Sequence, residues 1–230
     1  MSSPGPRVVG LPDSGIWRVG WATSPLHAPP PRALDLADTD AGNRFDAIGA
    51  DFETSYYGTN PSACFAETLA HRRPKPALLD LIADGDEWKY FMAPGKIEAE
   101  WRRKRLLTRV ILEEADQRFL DLQNHRTLAW INREFRAVLL LADLDEITVD
   151  TITKGDRKVT RYIASWIYKF RDSSGEPLFA GLRYSSRHGG DLECWAVFDR
   201  TRIKPVETRT IRSDDPDLRR IAELFGLTVY

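Results

Sequence analysis

The chain has 230 residues, 42% of them hydrophobic, with 34 acidic against 33 basic side chains. That length fits one large domain or two small ones, and the balanced charge supplies no global attraction to nucleic acid or to an anionic membrane. Cys64 and Cys194, the two cysteines, lie too far apart in sequence to suggest a disulfide framework, the opening "MSSPGPRVVGLPDSG" lacks the apolar core of a signal peptide, and the longest apolar run, "AVLLLA" at 137–142, is far too short to span a bilayer. The expectation is a soluble cytoplasmic protein.

Residues 1–14, rich in Gly, Pro and Ser, read as a flexible tail ahead of one domain over residues 15–230. "GIWRVGW" from Gly15 is a first strand. The proline-rich stretch after it is a structured loop, which "TSYYG" closes on a second strand. Asn60 and Pro61 then mark a helix start, because an Asn side chain caps exposed N–H groups and Pro tolerates the first helical position. "EWKYFMAP", Glu87 to Pro94, alternates as a strand would, and "KIEAEWRRKRLLTRVIL" reads as a helix or turn that finishes as a strand. "RTLAWINREF" looks helical, "AVLLLA" a buried strand and "EITVDTI" an exposed one. "DRKVTRYIASWIYKFRD" has the period of an amphipathic helix, "PLFAGLRYSS" and "LECWAVFDR" are strands joined by "RHGGD", and "DPDLRRIAELFG" is a short last helix from Pro to Gly. Strands and helices mix without strict alternation, so the fold class is α+β, a single domain with mixed or antiparallel sheets and packed helices.

Common chemistries are missing. There is no phosphate-binding GxxxxGK[ST], no GxGxxG, no HExxH and no GxSxG, and His27, His71, His125 and His188 lie at no metal-ligand spacing, so no metal is expected. The basic run "WRRKR" suits a solvated face beside a cleft better than a nucleic-acid site in a chain of this charge. What remains is a set at the ends of strands: Arg18, Arg44, Tyr56, Glu67 and Ser186. Arg pairs with phosphate oxygens through its planar fork, a Tyr face stacks on a heteroaromatic ring, and a carboxylate holds a ribose hydroxyl or stabilises positive charge on a sugar. Each also has an ordinary reading: Arg18 on the surface, Arg44 paired with Asp46, Tyr56 in the core, Ser185 and Ser186 capping a turn. Glu67 is the hardest to dismiss, a carboxylate among Ala63, Ala66 and Ala70.

Taken in order, these pieces resemble the RES domain family, named for an Arg, a Glu and a Ser. "IWRV" matches its aromatic-Arg strand and "GNRFDAIG" its Gly-rich Arg loop. "YYGTNPSACFAE" places Tyr56 on the family tyrosine and Glu67 on the glutamate; "VTRYIASWIY" matches a later helix, and "GLRYSSR" places Ser186 on the serine. The resemblance runs from Ile16 to Phe198. In two places the chain departs from the pattern. The turn is "YYGT", so Tyr57 competes with Tyr56, and a middle segment over about 95–155 is enlarged. The active hydroxyl is left open among Ser185, Ser186 and Thr160.

The resemblance implies an ADP-ribosyltransferase-like fold and an NAD+-consuming enzyme. Many family members are toxins of bacterial toxin–antitoxin pairs that cleave the nicotinamide–ribose bond by hydrolysis or phosphorolysis, or pass ADP-ribose to a protein. NAD+ is then substrate rather than resident cofactor, and the partner is a small helix-turn-helix (Xre-type) antitoxin. On that reading Glu67, Arg18 and Ser186 are catalytic. NAD+ is bound by Arg18, Arg44, Tyr56 or Tyr57, Thr160 and Ser186. A nucleotide-sensing or partner-binding module without turnover is the alternative.

Overall fold

The computed structural model describes residues 5–28, 30, 32–33, 42–74, 95–114, 117–141 and 143–230. Eight strands form one curled sheet: β1 (Val8–Val9), β2 (Ile16–Trp21), β3 (Thr54–Gly58), β5 (Arg105–Leu112), β6 (Phe119–Asp121), β7 (Gly181–Ser185), β8 (Glu193–Phe198) and β9 (Ile203–Thr210). Their order is β1-β6-β7-β8-β3-β2-β5-β9, and β4 (Lys96–Ile97) pairs separately and in parallel with β10 (Thr228–Val229). Within the large sheet only β6 and β7 run parallel. Among the described residues seven α-helices pack around it: α1 (Pro61–Leu69), α2 (Ala99–Arg103), α3 (His125–Glu134), α4 (Arg136–Leu141), α5 (Val149–Thr153), α6 (Arg157–Lys169) and α7 (Pro216–Phe225). The chain is a single α+β domain with a mixed sheet, as its sequence pattern predicts.

The sheet forks in its middle. β2 pairs with β5 along its whole length, Ile16↔Val110 to Trp21↔Arg105, but meets β3 only at Trp17↔Gly58. Strand alternation divides the side chains between two apolar cores. Cys194, Ala196 and Phe198 of β8 face the main core with Phe45, Phe65 and Leu182, while Trp195 and Val197 face a smaller one with Ile16, Val110 and Phe119. Tyr56 packs against the first core and Tyr57 belongs to the second. Gly58 lets α1 lie against the fork, since a Cβ there would stand 2.7 Å from the Ala63 Cβ.

Local signals explain most helix ends. The Asn60 side chain accepts from Ala63 N and Pro61 opens α1. Asp215 accepts from the backbone N–H groups of Asp217 and Leu218, Pro216 follows, and Gly226 closes α7 in the left-handed conformation at φ 66°. Two stretches read as strands are helical. "AVLLLA" lies mostly in α4, where Leu139 is buried and Leu140 is 83% exposed. It continues from α3 through a Leu139 N–H bond to Phe135 O; a six-residue apolar run carries no period that separates helix from strand. "EITVDTI" becomes α5 because Thr148 and Thr151 form a reciprocal capping box.

The longest strand missed in the sequence is β9, an edge whose alternation is weak and which accommodates Pro205; the short β4, β6 and β10 were missed as well. The expected tail contributes β1, which pairs with Leu120 and Phe119. The segment expected as a strand at Glu87–Pro94 lies outside the described residues. The enlarged middle segment is no appendage, since it supplies β5, which pairs between β2 and β9 in the large sheet. Among the described residues no helix is long and apolar enough to cross a membrane.

Candidate active site

The fork between β2 and β3 opens into a cleft of about 410 Å³, within the size range of small-molecule sites. One wall is α1. Asn60 fixes its start, Ser62, Ala63, Phe65, Ala66 and Leu69 are buried, and Glu67 is left on the exposed side, facing the cleft. Small neighbours are what let sheet and helix close around that carboxylate. Ser186, just past β7 and 4% exposed, donates from Oγ to Glu67 Oε1 at 2.5 Å and accepts from His188 N at 3.0 Å. It therefore acts through Glu67: the hydroxyl fixes the carboxylate, and its own orientation is fixed by the backbone of the "RHGGD" loop.

Arg18 sits at the fork itself. Its Nη1 donates to Tyr56 O and its Nη2 to His27 O, both at 3.1 Å. The guanidinium thus bridges strands that no longer pair with each other while also lining the cleft. Arg44 donates from Nη1 to Ile152 O and Gly155 O at 3.2 and 3.1 Å. Burial, followed by Arg187 and Arg157, lowers its pKa from the usual guanidinium value. Like charges close together disfavour each other's charged form, so the shift reflects how near these guanidinium groups lie to one another.

Tyr56 is not free to swing. Its hydroxyl donates to Asp46 Oδ1 at 2.7 Å and accepts from Phe45 N at 3.0 Å, and Asp46 Oδ2 accepts from Asn43 N at 2.6 Å. Burial and then Asp46 raise its pKa well above the ordinary phenol value. Thr54 Oγ1 donates to Phe45 O at 2.9 Å, and Arg161 Nη2 donates to Ala47 O at 2.6 Å. The loop carrying Arg44 is therefore fastened on both sides of that residue. Tyr57, at 3% exposure, has its ring in the smaller core, whereas Tyr56 packs against the main one.

Glu67, Arg18, Arg44, Tyr56 and Tyr57 all line the cleft, and Ser186 reaches it through Glu67. Thr160 does not line it: its buried hydroxyl donates to Arg157 O at 3.1 Å inside α6, a back-bond that a helix interior offers any threonine. Ser185 lines the cleft beside Ser186. Sequence reasoning missed Arg157 and Arg187, which complete a set of four guanidinium groups around the cleft, and also His188. Arg187 and His188 belong to "RHGGD", read only as a connection, and Arg157 opens α6, read only for its apolar face. His188 has its pKa lowered by burial, with Glu67 opposing that shift, and its ring packs 5.9 Å from Phe225. Cys64 also lines the cleft; burial pushes its thiol up to about 12, and its Sγ donates to Trp17 O at 2.9 Å. Among the described residues no group of three or more His, Cys, Asp or Glu side chains is arranged to hold a metal ion.

A family model for the RES domain matches residues 16–219. The chain belongs to the RES domain family. A comparison with curated proteins finds no match. Among solved structures, this RES domain is similar to one described as the M. tuberculosis MbcT–MbcA toxin–antitoxin complex, with a TM-score of 0.50 and 11% identity over 95% of this chain and 92% of that one. At that identity the likeness concerns the fold. It places the RES domain's forked sheet and surrounding helices in the same architecture as a toxin–antitoxin component.

Proposed function

We propose that this RES domain protein consumes NAD+ by breaking the nicotinamide–ribose bond and is the toxin of a bacterial toxin–antitoxin pair, working in the cytoplasm. The observation that carries this reading is Glu67: one carboxylate, fixed by Ser186, in a cleft that Arg18, Arg44, Arg157 and Arg187 also line. NAD+ has the complementary layout, a dianionic pyrophosphate and a cationic nicotinamide on C1′ of a ribose. The arginines hold the pyrophosphate. The cationic end is repelled by them, which turns the nicotinamide ribose toward Glu67. When the C1′–N bond breaks, its electron pair leaves with nicotinamide and positive charge develops on the ribose; the fixed carboxylate stabilises that charge, and an oxygen of water, phosphate or a protein side chain then bonds to C1′. A small helix-turn-helix protein able to cover the cleft is the partner this reading implies.

The direct test is release of free nicotinamide from NAD+ by the purified protein, run with and without phosphate and with added bacterial lysate as a source of acceptor proteins, and absence of release under all three conditions refutes the enzyme. Binding is checked separately. A ligand that binds only the folded chain raises its melting temperature once its concentration is well above Kd. Millimolar NAD+ or ADP-ribose is expected to raise it; an unchanged melting curve with both argues against the pocket.

The fastened loop gives Tyr56 a role different from stacking. Tyr56→Phe keeps the ring but removes the bonds to Asp46 and Phe45 N. The expected result is a rise in KM for NAD+ of roughly 3- to 10-fold with a smaller change in kcat, the scale of one net hydrogen bond, as Arg44 loses its fixed position. A Tyr that only stacked on the nicotinamide would tolerate Phe, so unchanged steady-state kinetics would return Tyr56 to that role.

A further inference from the structure

The cleft continues past Glu67 toward the end of β2. Val19 and His71 both line it, and Trp21 follows Val19 on the same face of the strand. The indole of Trp21 is 55% exposed, yet it is not loose: the Arg105 guanidinium carbon lies 4.2 Å from its ring centroid and 4.8 Å from that of Trp101. Arg105 is anchored in turn by donating to Trp101 O at 3.3 Å. His71, on the cleft wall, has its pKa lowered first by burial and then by the charges of Arg72 and Arg105.

A dinucleotide bound with its nicotinamide ribose at Glu67 and its pyrophosphate at the arginines must place its adenine somewhere. The rings within the cleft are poorly suited to stacking. Tyr57 and Tyr184 are buried, Tyr56 is tied at its hydroxyl, His188 packs on Phe225, and His71, also on the cleft wall, offers only a five-membered ring, smaller than an indole. Among the described residues the exposed large aromatics are Trp21 and Tyr230, and only Trp21 continues a strand that lines the cleft. Trp21 lies two strand residues beyond Val19, which lines the cleft, roughly 7 Å along the same face of the strand, a step that a ribose and its base cover.

Resting on the reading of the cleft as an NAD+ site, we infer that Trp21, backed by Arg105, is the stacking platform for the adenine base. The purine lies on the open face of an indole whose other face is held by a guanidinium, an arrangement that fixes the ring before the ligand arrives. Arg72 and Arg105 supply positive potential for the adenosine phosphate.

The test separates the two halves of the ligand. Binding of AMP and of nicotinamide mononucleotide is measured by calorimetry on the parent, Trp21→Ala and Trp21→Phe, together with the KM for NAD+. Stacking of one base on an aromatic side chain sustains roughly a 5- to 150-fold difference in affinity. Trp21→Ala is expected to weaken AMP by that factor, raise the KM for NAD+ similarly with kcat kept, and leave nicotinamide mononucleotide unaffected; Trp21→Phe recovers part of the loss. Equal AMP affinity in parent and Trp21→Ala overturns the platform while leaving the NAD+ reading intact. Equal weakening of both mononucleotides overturns it too, by showing that Trp21 only shapes the cleft. A parent that binds neither mononucleotide nor NAD+ overturns the function itself, and the platform with it.

Discussion

Glu67→Gln is expected to bind NAD+ nearly as tightly as the parent and to release nicotinamide at least ~100-fold more slowly, the scale seen when one preorganised electrostatic group is removed. The separation of binding from turnover follows from when the charge appears. Bound NAD+ has its positive charge on the nicotinamide ring, whereas the transition state shifts it onto the ribose beside the carboxylate. Gln keeps the volume and an oxygen that can accept from Ser186 Oγ, so the hydrogen bond now seen at 2.5 Å has a counterpart. Because Glu67 lies on the exposed side of α1, the substitution disturbs no core residue, and the variant is expected to melt near the parental temperature. In cells, expression of the parent is expected to arrest bacterial growth and drain NAD+, and the Gln variant to be tolerated. A structural Glu67 gives the reverse: lowered melting temperature with full activity per folded molecule. Full nicotinamide release by a well-folded Gln variant sinks the mechanism even though the chain remains a RES domain.

What the sequence made legible was whatever a local rule determines. Asn60–Pro61 and Asp215–Pro216…Gly226 carry their capping chemistry in a few adjacent letters; α1 begins, and α7 begins and ends, where those letters predict. The α6 helix, with its apolar residues at helical spacing, was equally plain. "AVLLLA" was not, because six apolar residues look alike in a strand and a helix, and only the continuation from α3 decides. The site shows the same division. Glu67, Arg18 and Arg44 sit in recognisable motifs and reach the cleft. Thr160 shared a motif too, but the phase of α6 turns it into the interior, a matter of about 100° per residue that a letter pattern does not fix against the rest of the fold. Arg157 and Arg187 were invisible for the opposite reason. They stand 30 residues apart in elements with no mutual pattern, and only the curl of the sheet brings both to the fork.

Arg18→Ala is expected to lose ligand and stability together, and the two losses can be told apart. In the folded chain the guanidinium spans the open fork, donating to Tyr56 O and His27 O. Hydrogen bonds from a charged donor contribute about 1.5–3 kcal/mol. Arg18 is half-buried, and solvent near its guanidinium holds the stability change to the lower part of that range, a drop of a few degrees in melting temperature for a domain of this size. If the remaining donors of the same guanidinium meet the pyrophosphate, NAD+ affinity falls by roughly 10- to 100-fold as well. Arg18→Lys separates the roles. An ammonium can reach one carbonyl or one phosphate oxygen, but it lacks the planar fork that serves both at once, so it is expected to restore part of the melting temperature and little of the affinity. The readouts are thermal melts without ligand and calorimetric titration with NAD+ below the melting range of each variant, so that unfolding does not pass for weak binding. If Arg18→Ala melted lower but titrated like the parent, Arg18 would be a fastener of the forked sheet alone, and the pyrophosphate would have to be held by Arg44, Arg157 and Arg187 without it.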